Sequence, residues 1–160
     1  MSKSIVFLCL CIGTLLAEEF PFVGIAVSSQ KNTILNEERS QKTVSLHYGQ
    51  QSLDWRTMFS YEFKGSEYKS FSVHIDKILL DQLFGTPKFR PYLGGEIGTL
   101  KMADPLLEDQ NGYYYGLGGG LILYATDHVD IDVGYRYHWV QKIESLDTIK
   151  GVMLSLHYFF

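Results

Sequence analysis

The segment DHVDIDVGYRYHW, residues 127–139, decides the fold class of this chain. Apolar or aromatic side chains alternate along it with charged or small ones, which is the period of two that distinguishes the two faces of a β-strand. A shift of one residue would turn every charge to the opposite face, so the strand register is strongly specified. One face carries Val129, Ile131, Val133, Tyr135, Tyr137 and Trp139, and the other carries His128, Asp130, Asp132, Gly134, Arg136 and His138.

The same period runs through the chain from Phe20 onward, with turn-forming clusters at intervals suited to hairpins. The segment GVMLSLHYFF, 151–160, repeats it and finishes on an aromatic residue. Most segments approach the roughly 9–11 residues that a tilted strand needs to cross a bilayer. We predict an all-β, eight-stranded antiparallel up-and-down barrel, with strands at about 20–28, 42–51, 53–63, 67–77, 88–99, 112–124, 127–138 and 149–160.

The alternation alone leaves open which face of the sheet points outward. A soluble barrel has its apolar residues inside, whereas a membrane barrel has them outside. Polar faces with both charge signs, lysines mainly in predicted loops, and no glycine-x-tryptophan signature of a lipocalin-like carrier favour a transmembrane barrel. Aromatic rings also cluster near strand ends, as they do at membrane interfaces. These rings are Tyr48, Trp55, Phe63, Phe89, Tyr113, Tyr115, Tyr124, Tyr137, Trp139, Tyr158 and Phe160.

Residues 1–17 are typical of a cleaved secretory signal peptide. Lys3 precedes an apolar run from Ile5 to Leu16, which is shorter than the roughly 20 residues of a spanning helix. Both cysteines lie in this segment, so the predicted barrel domain, 18–160, has none. Without Lys3 it has 13 basic and 18 acidic residues, a formal charge of −5. That charge argues against a nucleic-acid partner held by phosphate contacts.

Four segments resemble a known family: LSLHYFF (154–160), VDIDVGYRYHW (129–139), KFRPYLGGEIG (88–98) and YYYGLGGGLILY (113–124). They look like the small outer-membrane β-barrels of Gram-negative bacteria, the OmpA-like, OmpX-like and opacity-type domains. The resemblance covers nearly the whole predicted mature chain. It implies a location in outer-membrane lipid, with both termini in the periplasm. It also implies that the barrel-assembly machinery reads the last strand, through Leu154, Leu156, Tyr158 and Phe160.

Charged residues on the polar faces are predicted to meet inside the barrel. An eight-stranded barrel is about wide enough for side chains to fill it, and buried charges must pair because unpaired burial is costly. Inward glycines, as in GLGGG at 116–120, would make room for larger neighbours. The predicted lumen ion-pair network comprises Arg56, Glu62, Arg90, Glu96, Asp130, Asp132 and Arg136.

No catalytic, cofactor-binding or metal site is predicted. GLGGG is followed by LILY rather than by the start of a helix, which argues against a nucleotide cradle. Five histidines fall on or near the polar faces without the dense spacing of metal ligands. Ser155, His157 and Asp130 could still meet in space, so a hydrolytic triad stays open as an alternative.

Three polar segments, 29–41, 100–111 and 140–148, are predicted as long loops at one end of the barrel, opposite shorter turns. The segment 78–88 is either a longer turn with one helical twist or a continuation of strand four. We expect a non-enzymatic outer-membrane protein with a structural or narrow porin-like role. A loop-based adhesin or receptor for an external ligand is the main alternative, and a lipid A-modifying enzyme is a further one.

Overall fold

The chain folds into eight strands that close on themselves. The computed structural model describes residues 19–34, 37–65, 67–79, 85–103, 110–143 and 146–160. The strands are β1 (Phe20–Ile34), β2 (Glu37–Gln51), β3 (Trp55–Lys64), β4 (Tyr68–Ile78), β5 (Phe89–Met102), β6 (Gln110–Tyr124), β7 (Val129–Gln141) and β8 (Leu146–Phe159). Each strand pairs antiparallel with the next, and β1 also pairs with β8. The predicted fold class is confirmed, whereas the predicted signal peptide lies outside the described residues.

The wall of the barrel is apolar outside and mainly polar inside. Val27, Leu93 and Ile97 expose 56%, 60% and 65% of their surface, while Asp130 and Asp132 expose none. The predicted orientation of the two faces is therefore confirmed, since alternation puts successive side chains on opposite sides of the wall. Leu154, Leu156, Tyr158 and Phe160 all point outward. Within the described residues, no helix is long and apolar enough to span a membrane.

The two ends of the barrel differ. The start of β1 and the end of β8 lie side by side, because Phe22 pairs with Phe159, and we call this the terminal end. The opposite end, where β1 turns into β2, is the loop end. At the terminal end, β4 stops at Ile78 and a turn around Gly85, with φ of 73°, leads into β5. Residues 80–84 of this connection lie outside the described residues.

Two of the predicted long loops are wrong. β1 and β2 stay paired out to Ile34 and Glu37, so most of 29–41 is a two-stranded extension of the wall. Likewise β7 runs to Gln141 and β8 begins at Leu146, which leaves a short connection within 140–148. Polar side chains do not prevent strand formation here, because the hydrogen bonds of the hairpin join backbone to backbone. They continue beyond the part of the wall that carries apolar side chains. In the third segment, β5 runs to Met102 and β6 begins at Gln110, and 104–109 lie outside the described residues.

Apolar side chains occupy both ends of the lumen, beside the polar network that was predicted for its interior. Ile143 of the β7–β8 connection and Leu146, the first residue of β8, are buried at the loop end with inward residues of the strands. This loop-end cluster comprises Tyr68, Leu100, Tyr114, Val140, Ile143, Leu146 and Ile149. Two smaller clusters lie toward the terminal end, made of Phe22, Met58 and Phe159 and of Ile78, Tyr92 and Ile122. Tyr124 packs on the second of these, so its predicted place in the outer aromatic girdle is wrong.

Candidate functional site: the polar lumen

The half of the lumen nearer the terminal end is organised around the fully buried Arg56 guanidinium. Arg56 Nε donates to Asp76 Oδ2 at 2.9 Å. Arg56 Nη2 lies 2.8 Å from Asp76 Oδ2 and 2.8 Å from Asp132 Oδ2. The Tyr92 hydroxyl donates to Asp132 Oδ1 at 2.9 Å, and the centre of its ring lies 4.6 Å from Arg56 Cζ. One cation thus ties β3 and β4 to β7 across the lumen.

The half nearer the loop end is organised around the Glu96 carboxylate. His138 Nε2 lies 2.8 Å from Glu96 Oε2, and Arg136 Nη1 lies 3.5 Å from the same oxygen. The Tyr114 hydroxyl donates to Glu96 Oε1 at 3.0 Å, and His74 Nε2 lies 3.2 Å from that oxygen. Glu96 therefore receives groups from β4, β6 and β7, so its negative charge is surrounded on both oxygens.

A chain of four polar side chains crosses the lumen from β2 to β7. Ser45 Oγ lies 3.2 Å from His47 Nε2, and His47 Nδ1 lies 3.1 Å from His157 Nε2. His157 Nδ1 lies 2.7 Å from Asp130 Oδ1. If both rings carry their proton on Nδ1, every group donates to the next one in the direction of Asp130. These side chains form one continuous hydrogen-bonded chain inside the wall.

The predicted network residues do not form a single cluster. Arg56 contacts Asp132, and Arg136 contacts Glu96. Asp130 contacts His157 rather than a guanidinium. Glu62 accepts hydrogen bonds from Gln30 Nε2 at 2.6 Å and from Thr43 Oγ1.

The described contacts of Arg90 are at the terminal end of the barrel. Arg90 Nη1 donates to the Leu53 carbonyl oxygen at 2.8 Å, and its Cζ lies 5.8 Å from the centre of the Tyr124 ring. It lines an open vestibule of about 420 Å³ at the terminal end, together with Phe20 and Phe159. Arg90 was predicted to belong to the lumen network, and its described contacts lie at the mouth of the barrel, where the first inward position of β5 is.

Several lumen residues were missed as site members although their faces were predicted. Asp76, His74 and His47 lie on the inward positions of β4 and β2, where alternation alone places them. The described lumen holds five carboxylates, of Glu62, Asp76, Glu96, Asp130 and Asp132, against the two guanidiniums of Arg56 and Arg136. Because the carboxylates outnumber the guanidiniums, histidine, tyrosine and amide groups also serve as hydrogen-bond partners of the carboxylates.

Inward glycines make room for the network, as predicted. A methyl group on Gly134 would lie 2.3 Å from the Tyr92 hydroxyl, and one on Gly116 would lie 2.3 Å from His138 Cδ2. Both distances are far below van der Waals contact, so a side chain at either position would have to displace its partner. The glycines of β6 and β7 are therefore part of the packing of the polar lumen.

We expect Gly134→Ala to destabilise the barrel by about 1–3 kcal/mol, because the new methyl group pushes the Tyr92 hydroxyl away from Asp132. The measurement is the urea midpoint of unfolding in lipid vesicles. Gly95→Ala is the matched control, since its methyl group would meet only the Gly116 carbonyl oxygen at 3.8 Å. Equal midpoints for the two variants would contradict this account of the glycine.

The loop end of the wall carries a smaller ionic cluster on the extended hairpin. Glu38 Oε1 lies 2.6 Å from Lys150 Nζ, and Glu38 Oε2 lies 3.2 Å from Lys31 Nζ. The Lys150 ammonium, followed by that of Lys31, lowers the pKa of Glu38. The contact is therefore present above the usual titration range of a carboxyl group and is lost as the pH falls through the lowered pKa. It links β8 to the hairpin at the solvent-exposed rim.

Side chains fill most of the described part of the lumen. A cavity lined by Glu62, Arg136 and His138 has a volume of about 10 Å³. That is room for about one water molecule. Among the described residues, no group of three or more histidines, cysteines or acids is arranged to hold a metal ion. The lumen is a packed polar core.

Three solved structures show the same barrel. Neisserial surface protein A is 20% identical with a TM-score of 0.70, over 88% of this chain and 97% of that chain. Outer membrane protein H from P. aeruginosa, in DHPC micelles, is 20% identical with a TM-score of 0.64, over 88% and 99%. Ail, the attachment invasion locus protein of Yersinia pestis, in complex with the heparin analogue sucrose octasulfate, is 19% identical with a TM-score of 0.60, over 89% and 99%.

Sequence comparison adds no relative to these structures. No protein-family model matches the chain. No curated protein sequence matches it either. The structural likeness therefore establishes the fold, which is that of the small eight-stranded outer-membrane barrels.

Proposed function

We propose that this chain is an integral outer-membrane protein whose filled barrel has a structural role and does not conduct solutes. The observation that carries the proposal is the lumen, which is packed with paired polar groups and has apolar clusters toward both ends. The apolar outer wall supports insertion in lipid, because exposed apolar surface of this extent is unfavourable in water. The structural likeness to outer-membrane barrels supports a location in the outer membrane.

A solute would have to separate the buried ion pairs in order to pass. Removing Arg56 from Asp76 and Asp132 leaves charges unpaired in a low-dielectric interior, which costs several kcal/mol. Loop-end side chains such as Ile149 and Leu146, both about 1% exposed, present a second, apolar barrier. These contacts favour the structural role over the narrow porin-like one.

The two alternative functions receive less support. Loop-based recognition loses much of its basis because 29–41 is mainly paired strand. For a lipid-modifying enzyme, Ser155 Oγ makes no hydrogen bond among the described residues, and His157 is bonded to Asp130 and His47 instead. All of these groups lie inside the wall, out of reach of a lipid. We therefore infer that the chain is not an acyl hydrolase, and release of fatty acid from purified lipid A would overturn this inference.

Planar-bilayer recording tests the structural role. We expect no unit current steps from the purified barrel, because paired side chains fill the described lumen and the cavity beside Glu62 and Arg136 has room for about one water molecule. A known porin in the same bilayers controls for detection, and slower or faster gel migration of unboiled against boiled samples controls for the folded barrel. Stable current steps from folded protein would contradict the proposal.

A further inference from the structure

A series of side chains that can carry a proton runs from one end of the lumen to the other. Its members, which we call the relay, are Glu62, Ser45, His47, His157, Asp130 and Tyr124. They come from β2, β3, β6, β7 and β8 and point into the barrel. Hydroxyl, imidazole and carboxyl groups can each take up and give off a proton. Such a series can therefore pass a proton where no solute fits.

The middle of the relay is continuous. Ser45, His47, His157 and Asp130 are joined in this order by polar contacts of 3.2, 3.1 and 2.7 Å. No more than 3% of the surface of any of these four residues is exposed. The completely buried Phe22 packs against the His157 ring, with the two ring centres 4.8 Å apart. A proton on His157 therefore continues to Asp130 rather than directly to the terminal mouth.

Glu62 opens the relay at the loop end. It is partly exposed and lies near the last residue of β3. The cavity of about 10 Å³ is lined by both Glu62 and Ser45, with Gln30 and Arg136 as further polar neighbours. Its size and polar walls suit one water molecule. A water there connects the Glu62 carboxylate to the Ser45 hydroxyl, so a proton taken up by Glu62 can reach the buried part of the relay.

Asp130 and Tyr124 open the relay at the terminal end. They lie directly opposite each other on β7 and β6, and such pairs have Cβ atoms about 4.5–5.5 Å apart. Asp130 Oδ1 faces His157 Nδ1, whereas Asp130 Oδ2 makes no hydrogen bond among the described residues. Tyr124 is partly exposed and lines the vestibule. The relay thus has a partly exposed group at each end of the barrel.

The charges around the relay favour passage of a proton over its storage. The described lumen has more carboxylates than guanidiniums, so an entering proton reduces its net negative charge. At the centre, the guanidiniums of Arg56 and Arg136 and the ring of His74 face His47. Like charges repel strongly where water is excluded, so these groups oppose a lasting positive charge on His47. A proton that reaches His47 is therefore handed on toward Asp130.

We propose that the lumen passes protons from one side of the membrane to the other while it excludes solutes. A proton that binds Ser45 Oγ releases the hydroxyl proton to His47 Nε2. His47 Nδ1 then gives its proton to His157 Nε2, and His157 Nδ1 gives its proton to Asp130, which releases it toward the vestibule. One proton enters and one leaves, and both rings must turn before the next follows. The inference rests on the proposed insertion of a closed barrel in the membrane.

Acidification of lipid vesicles tests the relay. The vesicles enclose a pH-sensitive dye, and an outward potassium gradient with valinomycin draws protons inward. We expect vesicles with the unaltered barrel to acidify faster than vesicles without protein. His47→Gln should remove this difference, because a side-chain amide keeps a hydrogen bond but does not pass the proton on. His74→Gln is the matched control and should acidify like the unaltered chain, since His74 is similarly buried but contacts Ser72 and Glu96 outside the relay.

Three outcomes would overturn the relay. They are acidification no faster than in protein-free vesicles, an unchanged rate in His47→Gln, and an equal loss in both histidine variants. The gel shift between boiled and unboiled samples is measured for every protein. If His47→Gln forms no barrel, Asp130→Asn replaces it, because the amide keeps the shape of the side chain but does not carry the proton away. Unit current steps from the unaltered barrel would instead contradict the proposed function.

Discussion

Replacing Arg56 by alanine is expected to lower the free energy of unfolding by about 3–5 kcal/mol, the largest loss we expect from a single lumen substitution. Arg56 is completely buried and contacts Asp76 and Asp132 at 2.8 Å. Its removal leaves two carboxylates close together in the lumen with no guanidinium between them. The expected loss is therefore the cost of unpaired buried charge rather than the energy of one contact.

Urea unfolding of the barrel in lipid vesicles, followed by the fluorescence of its two tryptophans, measures this loss. Arg56→Met combined with Asp76→Asn and Asp132→Asn removes all three charges and should recover much of the stability, because charge removal as a set avoids orphaned ions. Arg90→Ala serves as a positional control, since Arg90 lines the vestibule at the terminal end. An Arg56→Ala barrel as stable as the Arg90→Ala barrel would contradict the role of this ion pair.

The partner of Arg56 could not be predicted from the sequence, although its face could. Alternation places Arg56 and Asp132 inward on β3 and β7 because side-chain direction depends only on the period of two. Which inward residues meet across the lumen depends on the stagger of the strands around the closed barrel, and one strand's pattern does not contain that stagger. The same reason explains why Asp130 was expected to meet a guanidinium and contacts His157 instead.

The extent of the strands was harder to predict than their number. All eight strands were predicted, but β1 and β2 are longer than expected. Their polar ends were predicted as loops because they lack apolar alternation. Apolar alternation marks only the part of a strand that faces lipid. Beyond that band, backbone pairing can continue with polar side chains, as it does from Ser29↔Lys42 to Ile34↔Glu37.

One apolar residue at an end of the lumen could have been predicted from the alternation of the last strand. Phe159 lies on the polar face of the last strand by alternation, and it is packed inward against Phe22. Ile143 lies in the β7–β8 connection, where no period applies, so its burial in the loop-end cluster could not be inferred. Tertiary packing decides the position of such residues.

Replacing Leu154 by arginine is the second substitution with a large expected effect, because it tests whether the outer wall faces lipid. Leu154 is 49% exposed and lies in register with Val27 on β1 and Val133 on β7, which also point outward. An arginine at the bilayer midplane of a membrane barrel costs about 2–4 kcal/mol, and near the interfaces about 0–1 kcal/mol. We therefore expect Leu154→Arg to lower the urea midpoint in vesicles clearly.

Asp147→Arg is the matched control on the same strand, because Asp147 is exposed near the loop end of β8, beyond the apolar row. If the wall faces lipid, the free energy of unfolding falls more for Leu154→Arg than for Asp147→Arg. The cost of a charge on the outer wall depends on how deep it lies in the bilayer. If the wall faced water instead, surface substitutions at both positions would fall within about 0.5 kcal/mol of the unaltered chain. Equal, small losses in the free energy of unfolding would therefore contradict membrane insertion. Neither substitution changes the packing inside the lumen, so this outcome would hold even for a barrel that stays closed.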